Sequence, residues 1–165
     1  VRLDRHLQRL LKALHELGSI GVVGSFAACI VIRVTAPPRQ SLSAYAAASH
    51  AIAAICQWLL VPSLAAALLS GLLAIAANRA FINAGWAWVK ALLGISMFEG
   101  TLLTVSASAR HAADLSALAA AGSPDPVQLA EVLRTEWGGL WILLTLSIAN
   151  VVLGVWRPRF SRAVR

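Results

Sequence analysis

Four stretches of the chain are each apolar over about the twenty residues that a helix needs to cross a hydrocarbon core. They run from about Ala13 to Ile32, Cys56 to Ala77, Trp86 to Ala109 and Trp137 to Val155. Each ends at residues that lipid rejects: Arg33, Asn78 with Arg79, Arg110, and Arg157. A water-soluble chain of 165 residues has too little interior to hide four such runs. Only 13% of the residues are charged, against about 25% in soluble domains, and 59% are hydrophobic. Those proportions exclude an ordinary soluble enzyme, a disordered chain and a disulfide scaffold. The expected fold is all-α, a single integral membrane domain built as a four-helix transmembrane bundle in a lipid bilayer.

The first run follows Arg2, Arg5, Arg9 and Lys12, which resemble the basic start of a signal peptide. The run exceeds the usual h-region of about 7–15 residues, so it reads as a retained helix. It also holds His15 and Glu16, which such regions seldom contain. The second run extends back to Ala44 and would measure roughly 50 Å as one straight helix. Either its Ala-rich start stands above the membrane or the helix tilts and bends, with Pro62 supplying the bend.

The connections predict two short breaks and one longer one. Ala36-Pro37-Pro38-Arg39-Gln40 is a breaker, and Asn78 to Gly85 reads as a tight turn. His111 to Glu136 reads as a longer connection. Within it, Ser123-Pro124-Asp125-Pro126 makes a turn and Val127 to Arg134 a short amphipathic helix.

Basic residues set the expected orientation. Arg2, Arg5, Arg9, Lys12, Arg79, Arg157, Arg159, Arg162 and Arg165 fall on one side, and Arg33, Arg39, Arg110 and Arg134 on the other. Nine against four places both termini in the cytoplasm, as an even number of spans requires. The net charge of +7 is then a topology signal, and no nucleic-acid partner is expected. Trp86, Trp88, Trp137 and Trp156 stand at the run ends, where amphipathic rings favour the membrane interface. Arg outnumbers Lys and Ala dominates, which fits a GC-rich bacterium and hence a bacterial inner membrane.

Small residues recur at intervals of three and four. Leu14, Gly18, Gly21, Ser25 and Ala28 form one such stripe, and Ser63, Ala67, Ser70, Ala74 and Ala77 a second. Gly139, Leu143, Ser147, Asn150 and Gly154 form a third. Such stripes let helices approach closely in lipid. The third run carries two. Lys90, Gly94, Met97, Thr101, Thr104, Ser108 and His111 make one, and Leu92, Ser96, Glu99, Leu103 and Ser106 the other. That helix packs centrally, or presents one stripe to another subunit, either a homo-oligomer mate or a membrane-complex partner.

Ionisable groups inside a bilayer are costly and often functional. Counting from the run ends puts Glu16 and Lys90 at similar depth, which predicts either an ion pair between them or Lys90 reaching the headgroups while Glu16 meets water. Glu99 counts to mid-membrane, with no basic residue at its level. A lone carboxyl there is expected protonated, able to donate a hydrogen bond, carry a proton or bind a cation. His15 has the chemistry of a haem or metal ligand. His50 and His111 count to the opposite side, where with Asp114 they would make a thin metal site. Cys29 and Cys56 show no zinc or redox spacing and read as buried free thiols, while a disulfide between them would need both at one depth, which the sequence leaves open. No P-loop, nucleophile elbow, dinucleotide fingerprint or HExxH is present, so these residues alone leave open whether the chain is an enzyme.

The stretch Leu11-Lys12-Ala13-Leu14-His15-Glu16-Leu17-Gly18, followed by Gly21 and Gly24, resembles the start of small bacterial four-helix membrane proteins. These are the CopD-like copper-resistance domains, the HemJ-like protoporphyrinogen oxidases and uncharacterised predicted relatives. Pro62 with Ser70-Gly71-Leu72-Leu73, and Trp88-Val89-Lys90-Ala91-Leu92-Leu93, extend the resemblance over about half the chain. It implies His15 as a haem b ligand and Lys90 as a functionally needed residue. Glu99-Gly100 stands where a histidine is usual downstream of the lysine. The alternative reading is a structural or accessory membrane subunit whose Glu99 binds a proton or cation.

Overall fold

The structure is a computed structural model that describes residues 4–36, 42–122 and 126–156. The Pro37-Pro38-Arg39-Gln40 breaker, the Ser123-Pro124-Asp125 turn and the arginines after Trp156 lie outside these residues. Every regular element described is helical. Four helices, Arg5–Thr35, Ser43–Ala77, Gly85–Ala120 and Val127–Trp156, are long and apolar enough to cross a membrane.

The first, α1 (Arg5–Thr35), begins well before the expected span. It ends at Thr35 because Ala36 precedes a proline and takes the extended backbone (φ −54°, ψ 135°) that the proline ring demands. The second long helix is α2 (Leu42–Ile55) and α3 (Val61–Ala77), joined by a π-helical turn at Cys56–Leu60. Pro62 has no N–H to donate back into the preceding turn, and the wider turn ahead of it absorbs the missing bond. The tight turn that follows holds one helical turn, α4 (Arg79–Ile82).

In the third long helix, α5 (Gly85–Gly100) and α6 (Ala107–Ala120) are joined by a second π-helical turn, Thr101–Ser106, with no proline in it. The two π-helical turns touch in the core. The fourth, α7 (Pro126–Trp156), is continuous. This corrects the reading of His111–Glu136 as one long connection. Its first part extends α6 to Ala120, and the expected short amphipathic helix is the opening of α7.

The helices alternate in direction. The end of the bundle where α1 begins is also where α7 finishes; we call it the terminal end and the opposite one the far end. The closest pairings are α1 on α3 and α2 on α6. The small-residue stripes explain the first. A Cβ on Gly18 would lie 2.7 Å from the Ser63 carbonyl oxygen and 2.8 Å from the Ala67 amide nitrogen. One on Gly21 would overlap the Ser63 hydroxyl. The stripe on α7 likewise faces inward, with Gly139, Leu143 and Ser147 buried. The main core is Phe26, Ile52, Leu60, Val105 and Leu140, and large apolar side chains such as Leu17, Ile20, Leu103 and Val155 face outward. An apolar exterior around an apolar core is what lipid selects.

The far end is organised around an ion pair. Arg33 Nη2 donates to both carboxylate oxygens of Glu136, at 2.8 and 2.7 Å, with the two side chains 4% and 1% exposed. Arg33 Nη1 donates to the Tyr45 and Ser49 hydroxyls at 3.2 and 3.4 Å, and the Ser116 hydroxyl, which donates to the Ala112 carbonyl at 2.6 Å, lies 3.4 Å from that of Ser49. One network thus ties α1, α2, α6 and α7. Beside it Tyr45, Ala112, Leu129 and Leu133 form a second, smaller apolar cluster.

Candidate functional site

Near the terminal end the four long helices line a half-open cavity of about 1190 Å³. That matches or exceeds the roughly 300–1,000 Å³ of small-molecule and cofactor sites. Its deeper wall is apolar, with Val22, Leu64 and Met97, while Lys12, Glu16, Asn78 and Lys90 also line it. His15 and Lys90, the two residues that the sequence resemblance singles out, both border this space, from α1 and α5.

The His15 ring is fixed from one side. Its Nδ1 lies 2.8 Å from the Ala67 carbonyl oxygen, which can only accept, so Nδ1 carries the hydrogen. Ser70 Oγ lies 3.4 Å from the same nitrogen and donates its own hydrogen to the Ala66 carbonyl at 2.6 Å. A neutral ring held this way keeps its lone pair on Nε2. Gly71 makes room for the ring: a Cβ there would stand 3.3 Å from His15 Cε1. Across the cavity, a Cβ on Gly154 would stand 2.7 Å from Lys90 Nζ, so the ammonium reaches the α7 backbone at a point only glycine leaves open. Asn150, also on α7 and lining the cavity, has a buried side-chain oxygen with no partner among the described residues. The cavity therefore gathers a basic ring nitrogen, a cation and an open acceptor against apolar walls.

Glu16 takes a different partner from the one its depth predicts. It stands 3.8 Å from Lys12, one turn earlier on α1, with both side chains largely exposed. Depth alone did not fix the contact, because a neighbour on the same helix was closer to hand. Glu99 is on the outer surface of the bundle, not in its core. Its stripe points outward at Leu92, Ser96, Glu99 and Leu103, while Gly94, Met97 and Thr101 point inward. Ser106 breaks the pattern and is buried, since the π-helical turn rotates the following residues around the axis. His50, His111 and Asp114, expected as a thin metal site, are all exposed. Among the described residues no three His, Cys, Asp or Glu side chains are grouped as a metal centre requires.

Sequence reasoning missed the Arg33–Glu136 pair. Arg33 reads as the residue that closes a span, and Glu136 as part of a connection. The signal was present: both residues count to the same end of the bundle, next to their span boundaries. Comparison with family models, curated proteins and solved structures returns no match.

Proposed function

We propose that the protein is a multi-pass protein of a bacterial inner membrane that binds a haem b in the terminal-end cavity, with His15 as the iron ligand. The observation that carries this reading is the His15 Nδ1 hydrogen bond to the Ala67 carbonyl. A histidine that ligates a metal through one nitrogen usually donates its other N–H to a carbonyl or carboxylate, which fixes the ring and its tautomer. The residues fit such a group: Nε2 supplies the ligand, Val22, Leu64 and Met97 supply apolar walls, and Lys90 supplies a cation for carboxylate substituents. Haem, when bound, supplies one-electron chemistry at iron. The chain contributes the ring orientation, the apolar enclosure and the positive charge.

Optical spectroscopy of the purified full chain, supplied with haemin, tests this. A Soret band that is present in the wild type, lost in His15→Ala and weakened in Lys90→Met is expected. A colourless wild-type protein after haem supply would overturn the reading.

Glu99 favours a second reading, a non-enzymatic subunit that assembles in the membrane. Its carboxyl shares the outward face with Leu92, Ser96 and Leu103, where lipid supplies no hydrogen-bond partner. On this reading a protonated Glu99 meets a polar group of a neighbouring subunit. The protein then forms one defined oligomer that Glu99→Leu dissociates and Glu99→Gln preserves, as size-exclusion chromatography with light scattering would register.

A further inference from the structure

The far end holds a second hollow, of about 450 Å³, at the opposite end of the bundle from the His15 cavity. Arg33, Tyr45, Ala130, Leu133, Arg134 and Trp137 line it. Arg33 brings a donor that the ion-pair network leaves over. Glu136 takes Nη2, while Tyr45 and Ser49 take Nη1. The remaining Nε is buried in a side chain only 4% exposed, and it has no hydrogen-bond partner among the described residues. A buried N–H left open is rare in folded proteins and marks a place for a partner from outside the chain. The Tyr45 hydroxyl accepts from Arg33 Nη1, which leaves its own hydrogen for a second partner.

Charge decides the kind of partner. The lining carries two arginines, and Glu136 balances one of them. Glu131, one turn before Arg134 on α7, is not part of the lining. The surplus suits a ligand with one negative charge, whose oxygens accept from Nε and the tyrosine hydroxyl while the exposed Arg134 approaches from the rim. Ala130, Leu133 and Trp137 make the rest of the wall apolar, so the ligand is an amphiphile.

Depth decides its source. Trp137 and Trp156 stand 19 residues apart on α7, about 29 Å of helix, close to the roughly 30 Å of a hydrocarbon core. With Trp156 at one membrane boundary, Trp137 and the hollow beside it reach the other, at the level of the lipid phosphates.

We propose that the hollow binds the phosphodiester of a phospholipid in the far-end leaflet. Arg33 Nε, the Tyr45 hydroxyl and the Arg134 guanidinium hold its oxygens, and the start of its acyl chains lies against Leu133 and Trp137. Free phosphate offers the same oxygens but nothing for the apolar wall.

Native mass spectrometry of the full chain, delipidated in detergent, tests this. Phosphatidylglycerol, a diacylglycerol with the same acyl chains and inorganic phosphate are titrated in parallel. Loss of a charge-assisted hydrogen bond weakens binding by about tenfold or more. The first phosphatidylglycerol should therefore bind at least about tenfold more tightly than diacylglycerol, which lacks the phosphate. Arg134→Gln, and Ala130→Phe, which fills the hollow, should each weaken that first adduct by about the same factor. Both positions are exposed, so the core stays intact. Arg110→Gln removes the same charge from an exposed far-end position outside the hollow and should leave the adduct within about twofold. Equal affinity for the two lipids, an unchanged adduct in either hollow variant, or an equal loss in Arg110→Gln would overturn the proposal. Inorganic phosphate that binds alone and is lost in Arg134→Gln would assign the hollow to a free anion and overturn the lipid as its occupant.

Discussion

Arg33 and Glu136 are the most consequential pair of side chains in the molecule, because neither can lose the other cheaply. A bidentate pair this deeply buried leaves an uncompensated charge when one member is removed, at about 3–5 kcal/mol. Arg33→Ala and Glu136→Ala should each lower unfolding stability in detergent by that order. Arg33→Met combined with Glu136→Leu should recover much of the loss, since an apolar pair of similar volume needs no solvation. A single variant within about 0.5 kcal/mol of wild type, the usual range for surface substitutions, would mean that water reaches the pair. At this scale the sequence was only partly legible. Counting along helices placed Glu16 and Lys90 at similar depth, and both line one cavity. Counting cannot say which way a side chain leans. Glu16 therefore found Lys12, and the partner of Arg33 was overlooked.

Whole helices were easier to read than single contacts. Lipid cannot satisfy an open backbone, so an apolar run of sufficient length has one outcome. The small-residue stripes then name the faces that meet. Gly18 and Gly24 show how specific this is. A Cβ on Gly18 would strike the α3 backbone, whereas one on Gly24 meets nothing within 4 Å. Gly18→Ala should separate α1 from α3 and cost about 1–3 kcal/mol, the usual toll of overpacking. Gly24→Ala should be neutral or stabilise by up to about 1 kcal/mol through helix propensity alone. Thermal unfolding of the two variants side by side checks this, and equal effects would mean the α1–α3 contact is looser than described. The π-helical turns were not legible as such. Pro62 announced a disturbance in the second long helix without its form, and Thr101–Ser106 carries no proline to announce one. Such a turn records how a helix adjusts to its neighbours, which periodicity within one segment does not contain.

For the molecule as a whole, the helix count, the alternation of direction and the membrane character follow from hydropathy. Orientation follows from charge. The excess of arginine and lysine beside the terminal end predicts that this end faces the cytoplasm. Cysteines introduced singly at Asp4 and His111, in a chain with Cys29 and Cys56 replaced by alanine, should react oppositely with a membrane-impermeant maleimide in intact cells. The residue at 111 should be labelled and the one at 4 protected, and the reverse pattern would invert the assignment.

The third long helix, Gly85–Ala120, has 36 residues and so a length of about 54 Å, against a hydrocarbon core of about 30 Å. Its outward residues near the far end are Arg110, His111 and Asp114, and α7 adds Glu131 and Arg134, all exposed. The far end of the bundle thus carries charged outward residues over an apolar cluster of its own, Tyr45, Ala112, Leu129 and Leu133, beside the Arg33–Glu136 pair. Such a body is held together on both sides of the lipid boundary by different forces: hydrophobic burial above it, close packing of small residues below. A bilayer a few Å thicker or thinner then moves that boundary along helices that remain paired on either side of it. The same fold can ride in membranes of unequal thickness without tilting its helices apart.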